Sequence, residues 1–233
     1  MIERIKNLSE KYFPRVIELR RQIHANPELS WEEYETSKLV AAELNKLPGM
    51  LVTTGVAKTG VVGILKGNNP ESKCIALRAD MDALPIAEQN SLEYCSKKEG
   101  KMHACGHDVH TSNLLGVAMI LSELKNEIEG TVKFIFQPSE EKIPSGAEAM
   151  INAGVLENPK PAKIFGLHVS PELEAGFVDR QPLFNTGLNP FCGAACLSAF
   201  HGFPFFALVF VLGCDVKLTR QPLPQCFVQA GVV

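Results

Sequence analysis

Strands and helices are predicted to alternate along most of the chain, and this alternation limits the possible folds more than any other feature. Short runs rich in apolar and β-branched residues, separated by Gly, Asn and Pro, predict strands. These runs are 51–54, 61–65, 74–77, 131–136 and 163–169. Such alternation is typical of a mainly parallel sheet sandwiched by helices, so we expect an α/β fold.

Helices are predicted before and between these strands. Apolar residues recur every three or four positions over 3–25, which indicates a helix, and Pro14 predicts a break or kink near its middle. Ser30 and Glu33 have the spacing of a capping box, so a second helix should begin there. Two further helices are predicted over 108–128 and 146–153.

Composition excludes several classes of protein. The 233 residues carry a net charge of −3, which gives no basic surface for nucleic acid. The first residues are charged and amphipathic, without the apolar run of a signal peptide, and the most apolar stretch, 203–212, is too short to span a bilayer. Seven cysteines, an odd number, favour a reducing compartment, so we expect a cytoplasmic protein that binds no membrane.

A dense cluster of potential metal ligands precedes the third helix. It contains His103, Cys105, His107, Asp108 and His110. Thiolate and imidazole both bind zinc-like ions, and Cys105 and His107, two positions apart, point the same way in an extended or looped backbone. A lone Cys-x-His is a weak signal, so a buried polar loop stays an alternative.

Further polar side chains follow the ends of predicted strands. Asp80 and Asp82 follow the third strand, Glu140 and Glu141 the fourth, and His168 ends the fifth. Each has an ordinary explanation: aspartates that cap a turn, a solvated acidic turn, or a core histidine. Because open α/β sheets place their sites at the carboxyl ends of strands, one crevice could collect them all. Adjacent glutamates in an extended segment should point to opposite sides, one toward a metal and one toward substrate.

Five motifs occur in the order of a known family. They are His-Ala-Asn-Pro-Glu-Leu-Ser (24–30), Arg-Ala-Asp-Met-Asp-Ala-Leu-Pro (78–85), His-Ala-Cys-Gly-His-Asp-Val-His (103–110), Gln-Pro-Ser-Glu-Glu (137–141) and Gly-Leu-His-Val (166–169). Together they resemble the metal-dependent aminoacylase/carboxypeptidase family over roughly residues 10–182. The most similar branch is that of the N-acyl-amino-acid amidohydrolases, which includes hippurate hydrolases and indole-acetyl-amino-acid hydrolases. The resemblance implies a zinc-exopeptidase-like catalytic domain with an inserted lid and dimerisation domain.

The resemblance also implies roles for individual residues. It assigns metal binding to Cys105, His107, Glu141 and His168, with His107 bridging two ions. Glu140 would be the general base, and Asp82 a supporting carboxylate behind the ligands. The ions would be two divalent metals, Zn or Mn, with Co or Ni possible. The implied reaction is hydrolysis of a small N-acyl amino acid to a carboxylic acid and an amino acid, through a water activated by both metals.

The resemblance stops at about residue 183. We therefore expect 1–183 to be the N-terminal part of a metallohydrolase catalytic domain and 184–233 to be an atypical tail. The lid, the dimerisation domain and one further histidine ligand would be missing, which makes a family-type homodimer doubtful. A frame change or a mispredicted gene end would explain the tail, and a genuine segment that covers a sheet edge is the alternative.

Two other functions stay open at this point. Cys105 could be the nucleophile of a cysteine hydrolase, with His107 or His110 as its base. The chain could also be an inactive fragment that at most binds metal. A cysteine hydrolase would stay active in the presence of a chelator, whereas a metal enzyme would not. An inactive fragment would turn over no substrate.

Overall fold

The computed structural model describes residues 1–169, 178–180 and 228–232, so most of the predicted tail 184–233 lies outside the described residues. The helices are α1 (Ile2–His24), α2 (Tyr34–Asn45), α3 (His107–Glu123) and α4 (Gly146–Asn152). The strands are β1 (Met50–Val56), β2 (Gly60–Lys66), β3 (Cys74–Asp80), β4 (Thr131–Gln137), β5 (Lys163–His168), β6 (Val178–Arg180) and β7 (Val228–Val232). Within these residues no helix has the length and apolar character that a membrane span requires.

The strands form one sheet in the order β1-β2-β4-β3-β5-β7-β6. Its centre, β4-β3-β5, is parallel as predicted, and β3 is connected to β4 through α3. β1 and β2 pair antiparallel because only residues 57–59 join them, and a parallel pair needs a crossover of a dozen or more residues. The α/β fold with a sheet flanked by helices is therefore confirmed.

The two faces of the sheet have separate cores. Leu77 and Phe134 point to the larger core, which α1, α2 and α3 cover with residues such as Leu115. Ile135 points to the opposite face, where Met150 of α4 packs on it. All seven residues of β4 are buried, as expected of a central strand covered on both faces.

The structure corrects several helix predictions. α1 is not broken at Pro14. The carbonyl that loses its partner there belongs to Glu10, an exposed residue that water can reach. α3 begins at His107 and ends at Glu123, and a short 3-10 helix (Lys125–Glu127) follows it.

The predicted capping box is wrong. α2 begins at Tyr34, and Glu33 makes no capping hydrogen bond with its side chain. Ser30 Oγ donates instead to Asp82 Oδ2 at 2.6 Å. Both side chains turn toward the interior because buried acceptors and donors lie there, and these contacts override the local helix signal.

Candidate metal centre

The carboxyl ends of the parallel strands gather the polar side chains at one edge of the sheet. β3 ends at Asp80 and β5 at His168, while α3 begins at His107 beside them. Three groups of potential ligand atoms, each within 4.8 Å of one another, share His107. The groups are Cys105 with His107 and His168, Asp80 with His107 and His110, and His107 with Glu140 and Glu141. The expected crevice therefore exists and centres on His107.

A left-handed glycine brings Cys105 and His107 to the same point. Gly106 precedes α3 with φ +83°, and a Cβ there would lie 2.2 Å from Val169 Cγ2. Only glycine adopts this conformation at little cost, and here it also leaves the space that Val169 fills. The two side chains converge through this tight turn, so of the two backbones expected from the i, i+2 spacing the looped one occurs.

Cys105 and His168 are spaced as ligands of one ion. Their Sγ and Nε2 atoms lie 3.6 Å apart. In a tetrahedral site with Zn–S near 2.3 Å and Zn–N near 2.0 Å, sulfur and nitrogen ligands lie about 3.5 Å apart. Interactions with His107 and then His168 lower the pKa of the Cys105 thiol, which favours the thiolate that metals bind.

His107 presents one unpaired nitrogen to this space. Its Nδ1 lies 2.8 Å from the backbone oxygen of Asp82 and donates to it, whereas its buried Nε2 makes no hydrogen bond. Nε2 lies 3.7 Å from both Asp80 Oδ2 and Glu141 Oε1. Burial opposes protonation of His107, but the negative charge of Asp80 and the bond to Asp82 raise its pKa well above the usual value. A field that holds a proton this strongly also attracts a metal cation.

His110 is held differently and has no nitrogen free for a metal. Its Nδ1 donates to Asp80 Oδ1 at 2.6 Å, and its Nε2 accepts from the backbone N–H of Val169 at 3.0 Å. Burial lowers the pKa of His110 to about 4, in agreement with this neutral tautomer. His110 therefore orients Asp80 and the end of β5, and it is not placed to act as a base.

The two glutamates lie on a turn and do not point to opposite sides. Ser139 has φ +46°, so the chain leaves the extended conformation directly before Glu140. The N–H groups of Glu140 and Glu141 each donate to Asp82, at 3.0 Å, and both carboxylates approach His107. The expectation of opposite orientations is wrong because this turn, not a strand, carries the pair.

Glu140 has the electrostatics of a proton carrier. Burial, and after it the negative charge of Asp80, raise the pKa of Glu140 above its ordinary value. A carboxylate with a raised pKa is better matched to proton transfer near neutral pH. Glu141 lies at the more exposed rim of the same group.

Comparison with known proteins identifies the family. The model of peptidase family M20/M25/M40 matches residues 76–222, more than half of the chain. The chain belongs to this family. The span includes most of the third strand, the ligand cluster, the glutamate pair and His168, so it covers every candidate ligand described above.

Relatives in the M20/M25/M40 family share nearly half of their aligned residues with the chain. The IAA-amino acid hydrolase ILR1-like 5 of Arabidopsis thaliana is 48% identical over 92% of this chain and 48% of its own length. The N-acyl-L-amino acid amidohydrolase of Geobacillus stearothermophilus is 45% identical over 75% of this chain and 46% of its own. The chain thus spans about half the length of the curated relatives it matches.

A solved M20 structure has the same fold over most of the described residues. It is the YXEP protein of Bacillus subtilis, a dinuclear metal binding peptidase, with 44% identity and a TM-score of 0.66. The similarity covers 72% of this chain and 45% of that one.

Sequence reasoning missed the surroundings and contacts of several side chains near the centre. Asp108 is fully buried and lies 2.8 Å from both His24 Nδ1 and Arg20 Nε, which ties the start of α3 to α1. Glu33, treated as a cap, contacts the glutamate turn. His103 is buried, with neither ring nitrogen hydrogen-bonded, and burial lowers its pKa to about 4. No spacing rule could reveal these contacts, because each joins segments far apart in the chain.

Proposed function

We propose that the chain supplies the metal centre of a hydrolase that cleaves the amide bond of N-acyl amino acids. The observation that carries this proposal is the unpaired, buried Nε2 of His107, which is shared by the groups that contain Cys105, His168, Glu140 and Glu141. A buried polar atom without a partner is costly unless a ligand completes it.

The donor set fits two divalent ions. Cys105 and His168 would hold one ion, and Glu141 would hold the other. His107 would bind only one of them, through the single lone pair of Nε2, because its Nδ1 donates to Asp82. The bridging role that the resemblance implied for His107 does not fit this tautomer. The thiolate favours zinc at the first position, and carboxylate donors also suit manganese, with cobalt or nickel as alternatives. When bound, the ions would supply a water of lowered pKa and polarise the amide carbonyl. With Nδ1 donating to Asp82, the lone pair of His107 Nε2 is left for the one ion that it would bind.

Glu140 would move the proton during hydrolysis. Its carboxylate lies within 4.8 Å of the ligand atoms of His107 and Glu141, and its raised pKa suits it to accept a proton from water and deliver it to the departing amine. Asp82 would hold Glu140 in place through the backbone N–H of that residue.

The substrate proposal follows from what the relatives have in common. The relatives include an IAA-amino acid hydrolase, an N-acyl-L-amino acid amidohydrolase and an N-acetylcysteine deacetylase. All three describe a small amino acid that carries an acyl group on nitrogen. We therefore propose a small N-acyl amino acid as substrate, and we propose residues 1–183 as the N-terminal part of the catalytic domain that acts on it.

Metal content and hydrolysis should be measured on the same protein. Hippurate, N-acetylmethionine and an indole-acetyl amino acid would be tested with and without added zinc or manganese. We expect metal-dependent release of amino acid that chelation abolishes and Glu140→Gln lowers by about 100-fold or more. Glu148→Gln, an exposed glutamate of α4, is the matched control. A folded, metal-loaded chain that hydrolyses none of these substrates would contradict the proposed reaction.

A cysteine hydrolase is the second candidate, and one observation favours it. Cys105 Sγ lies 3.6 Å from His168 Nε2, so a thiolate–imidazole pair is available. Of the two bases expected, His110 is unsuitable because both of its nitrogens are occupied. His107 and His168 both belong to the group that contains Cys105, so either could accept the thiol proton. Activity that survives chelation but is lost in Cys105→Ser would support this reaction over the metal-dependent one.

A further inference from the structure

We propose that Glu33 is a positioning residue that holds the turn carrying Glu140 and Glu141 in the conformation in which both carboxylates face His107. The inference rests on the function proposed above for that turn. It assigns to the segment before α2, far from the strand ends in sequence, a part in building the centre.

Three donors fix the Glu33 carboxylate, which is fully buried. Its Oε1 accepts from the backbone N–H of Ser139 at 2.8 Å and of Trp31 at 3.0 Å. Its Oε2 accepts from Thr59 Oγ1 at 2.6 Å. One carboxylate thus joins the segment before α2, the β1–β2 connection and the glutamate turn.

The two backbone donors are both in a strained conformation. Ser139 has φ +46° and Trp31 has φ +70°, values that residues with a Cβ rarely adopt. Such conformations persist only where the surroundings hold them. Glu33 Oε1 accepts from both N–H groups, so its removal leaves the buried donor of Ser139 and the partly buried donor of Trp31 unpaired. Ser139 is then free to relax, which would rotate Glu140 away from His107.

The other contacts of the turn explain why Glu33 is needed. Asp82 holds the N–H groups of Glu140 and Glu141 from one side. Gly146 N donates to Ser139 O at 2.8 Å and closes the loop, so closely that a Cβ on Gly146 would lie 1.8 Å from Pro138 O. These bonds fix groups that follow the Ser139 N–H in the chain, and Glu33 fixes that N–H itself.

Helix capping does not account for Glu33. The residue precedes α2 but its side chain makes no capping bond to it. Burying a carboxylate is costly, and the cost is offset here by contacts to Ser139, Trp31 and Thr59. If Glu33 only stabilised the fold, its loss would affect the residues that contact it. If it positions the turn, its loss must also change the proposed metal ligands.

The first test is hydrogen exchange of the metal-free chain. Glu33→Leu should raise the exchange rate of the amides at Ser139, Glu140 and Glu141 by about tenfold, the loss expected for one hydrogen bond to a charged acceptor. Glu33→Gln should restore slow exchange, since one amide oxygen can accept both N–H groups while the NH2 group donates to Thr59. Unchanged exchange in Glu33→Leu would overturn the proposal.

Glu43→Leu is the matched control. Glu43 is also a buried carboxylate, in α2, but its partners are Arg15 and Lys46. The control should destabilise the chain without changing exchange at the glutamate turn. If Glu43→Leu raises exchange there as much as Glu33→Leu does, the effect is general loosening and the positioning role is wrong.

Cobalt binding gives the second readout. Glu33→Leu should weaken cobalt affinity by about tenfold, as loss of an outer partner of a ligand does, and Glu33→Gln should restore it. An affinity that falls equally in Glu43→Leu would overturn the role of Glu33. A parent chain that binds no metal would contradict the proposed function. It would not contradict the role of Glu33 in holding the turn, which hydrogen exchange tests without metal.

Discussion

The Nδ1 atom of His107 donates to the backbone oxygen of Asp82 at 2.8 Å, while the Asp82 carboxylate accepts from the two glutamates of the neighbouring turn. One residue therefore fixes the tautomer of the central histidine and the position of the carboxylates opposite it. Disturbing Asp82 should change both sides of the centre together.

Asp82→Asn should weaken metal binding by about 10- to 100-fold and cost roughly 1–3 kcal/mol of stability. In the parent chain both carboxylate oxygens of Asp82 accept from backbone N–H groups of the turn. An asparagine would place its NH2 group against one of these N–H groups, so that two donors face each other without an acceptor. Cobalt titration and denaturant unfolding measure the two effects. Ser30→Ala removes another donor to the same carboxylate but leaves the turn bonds, so its cobalt affinity should stay near the parent value. Equal losses in both variants would contradict this account.

Cys105→Ser should abolish the thiolate-to-cobalt absorption band and lower metal affinity. The reason is that Cys105 Sγ lies 3.6 Å from His168 Nε2, within the group that includes His107. Cys95→Ser is the control, since the Cys95 thiol bonds Asn90 O and belongs to none of the ligand groups found among the described residues. A band that persists in Cys105→Ser would show that another thiol binds the ion.

Metal affinity should fall as pH falls. Burial opposes protonation of His107, but Asp80 and Asp82 raise its pKa well above the ordinary 6.5, so a proton competes with the metal for this side chain. Binding must release that proton. Below the raised pKa, each unit of acidification should therefore weaken binding by up to about tenfold for one released proton. Proton release measured by calorimetry in two buffers checks this, and affinity independent of pH would refute it.

Gly106→Ala should disrupt the centre more than a left-handed conformation alone explains. The φ of +83° costs a residue with a Cβ about 1–2 kcal/mol, and the new Cβ would also lie 2.2 Å from Val169 Cγ2. Gly100→Ala is matched in backbone conformation, with φ +68°, but meets nothing within 4 Å. Denaturant unfolding and cobalt titration of both variants separate backbone strain, which both share, from the contact with Val169, which only Gly106→Ala makes. Equal losses of stability and cobalt affinity in the two variants would show that the contact with Val169 has no effect.

Asp108→Asn should cost about 3 kcal/mol, because it removes the buried negative charge that pairs with His24 and Arg20. Burial alone would raise the pKa of Asp108, but His24 and Arg20 lower it below its ordinary 3.8. The Asp108 contribution is therefore present above pH 3.8 and is lost as pH falls toward the lowered value. The variant should unfold with a weaker pH dependence in acid, measured by denaturant midpoints. Glu35→Gln, which breaks an exposed pair with Lys38, should change little.

The sequence predicted the centre better than its surroundings. Hydrophobic runs located β3, β4 and β5, and parallel pairing brought Asp80, His107 and His168 to one edge, as expected. Glu33 was misread because a glutamate three residues after a serine satisfies the capping rule, while its actual partners, Thr59 and Ser139, are 26 and 106 residues away. Capping rules consider only residues within a few positions of a helix end. They cannot predict hydrogen bonds to donors that distant segments supply.

The separation in sequence between two proposed ligands also has a consequence for the newly made chain. Cys105 and His168 are 63 residues apart, and β5 must pair with β3 before their side chains meet. During synthesis, a chain that has not yet produced β5 can offer at most a partial site that holds an ion weakly. Tight metal binding would therefore require that the parallel strands are already correctly ordered. A sheet with wrongly paired strands would seldom be stabilised by metal.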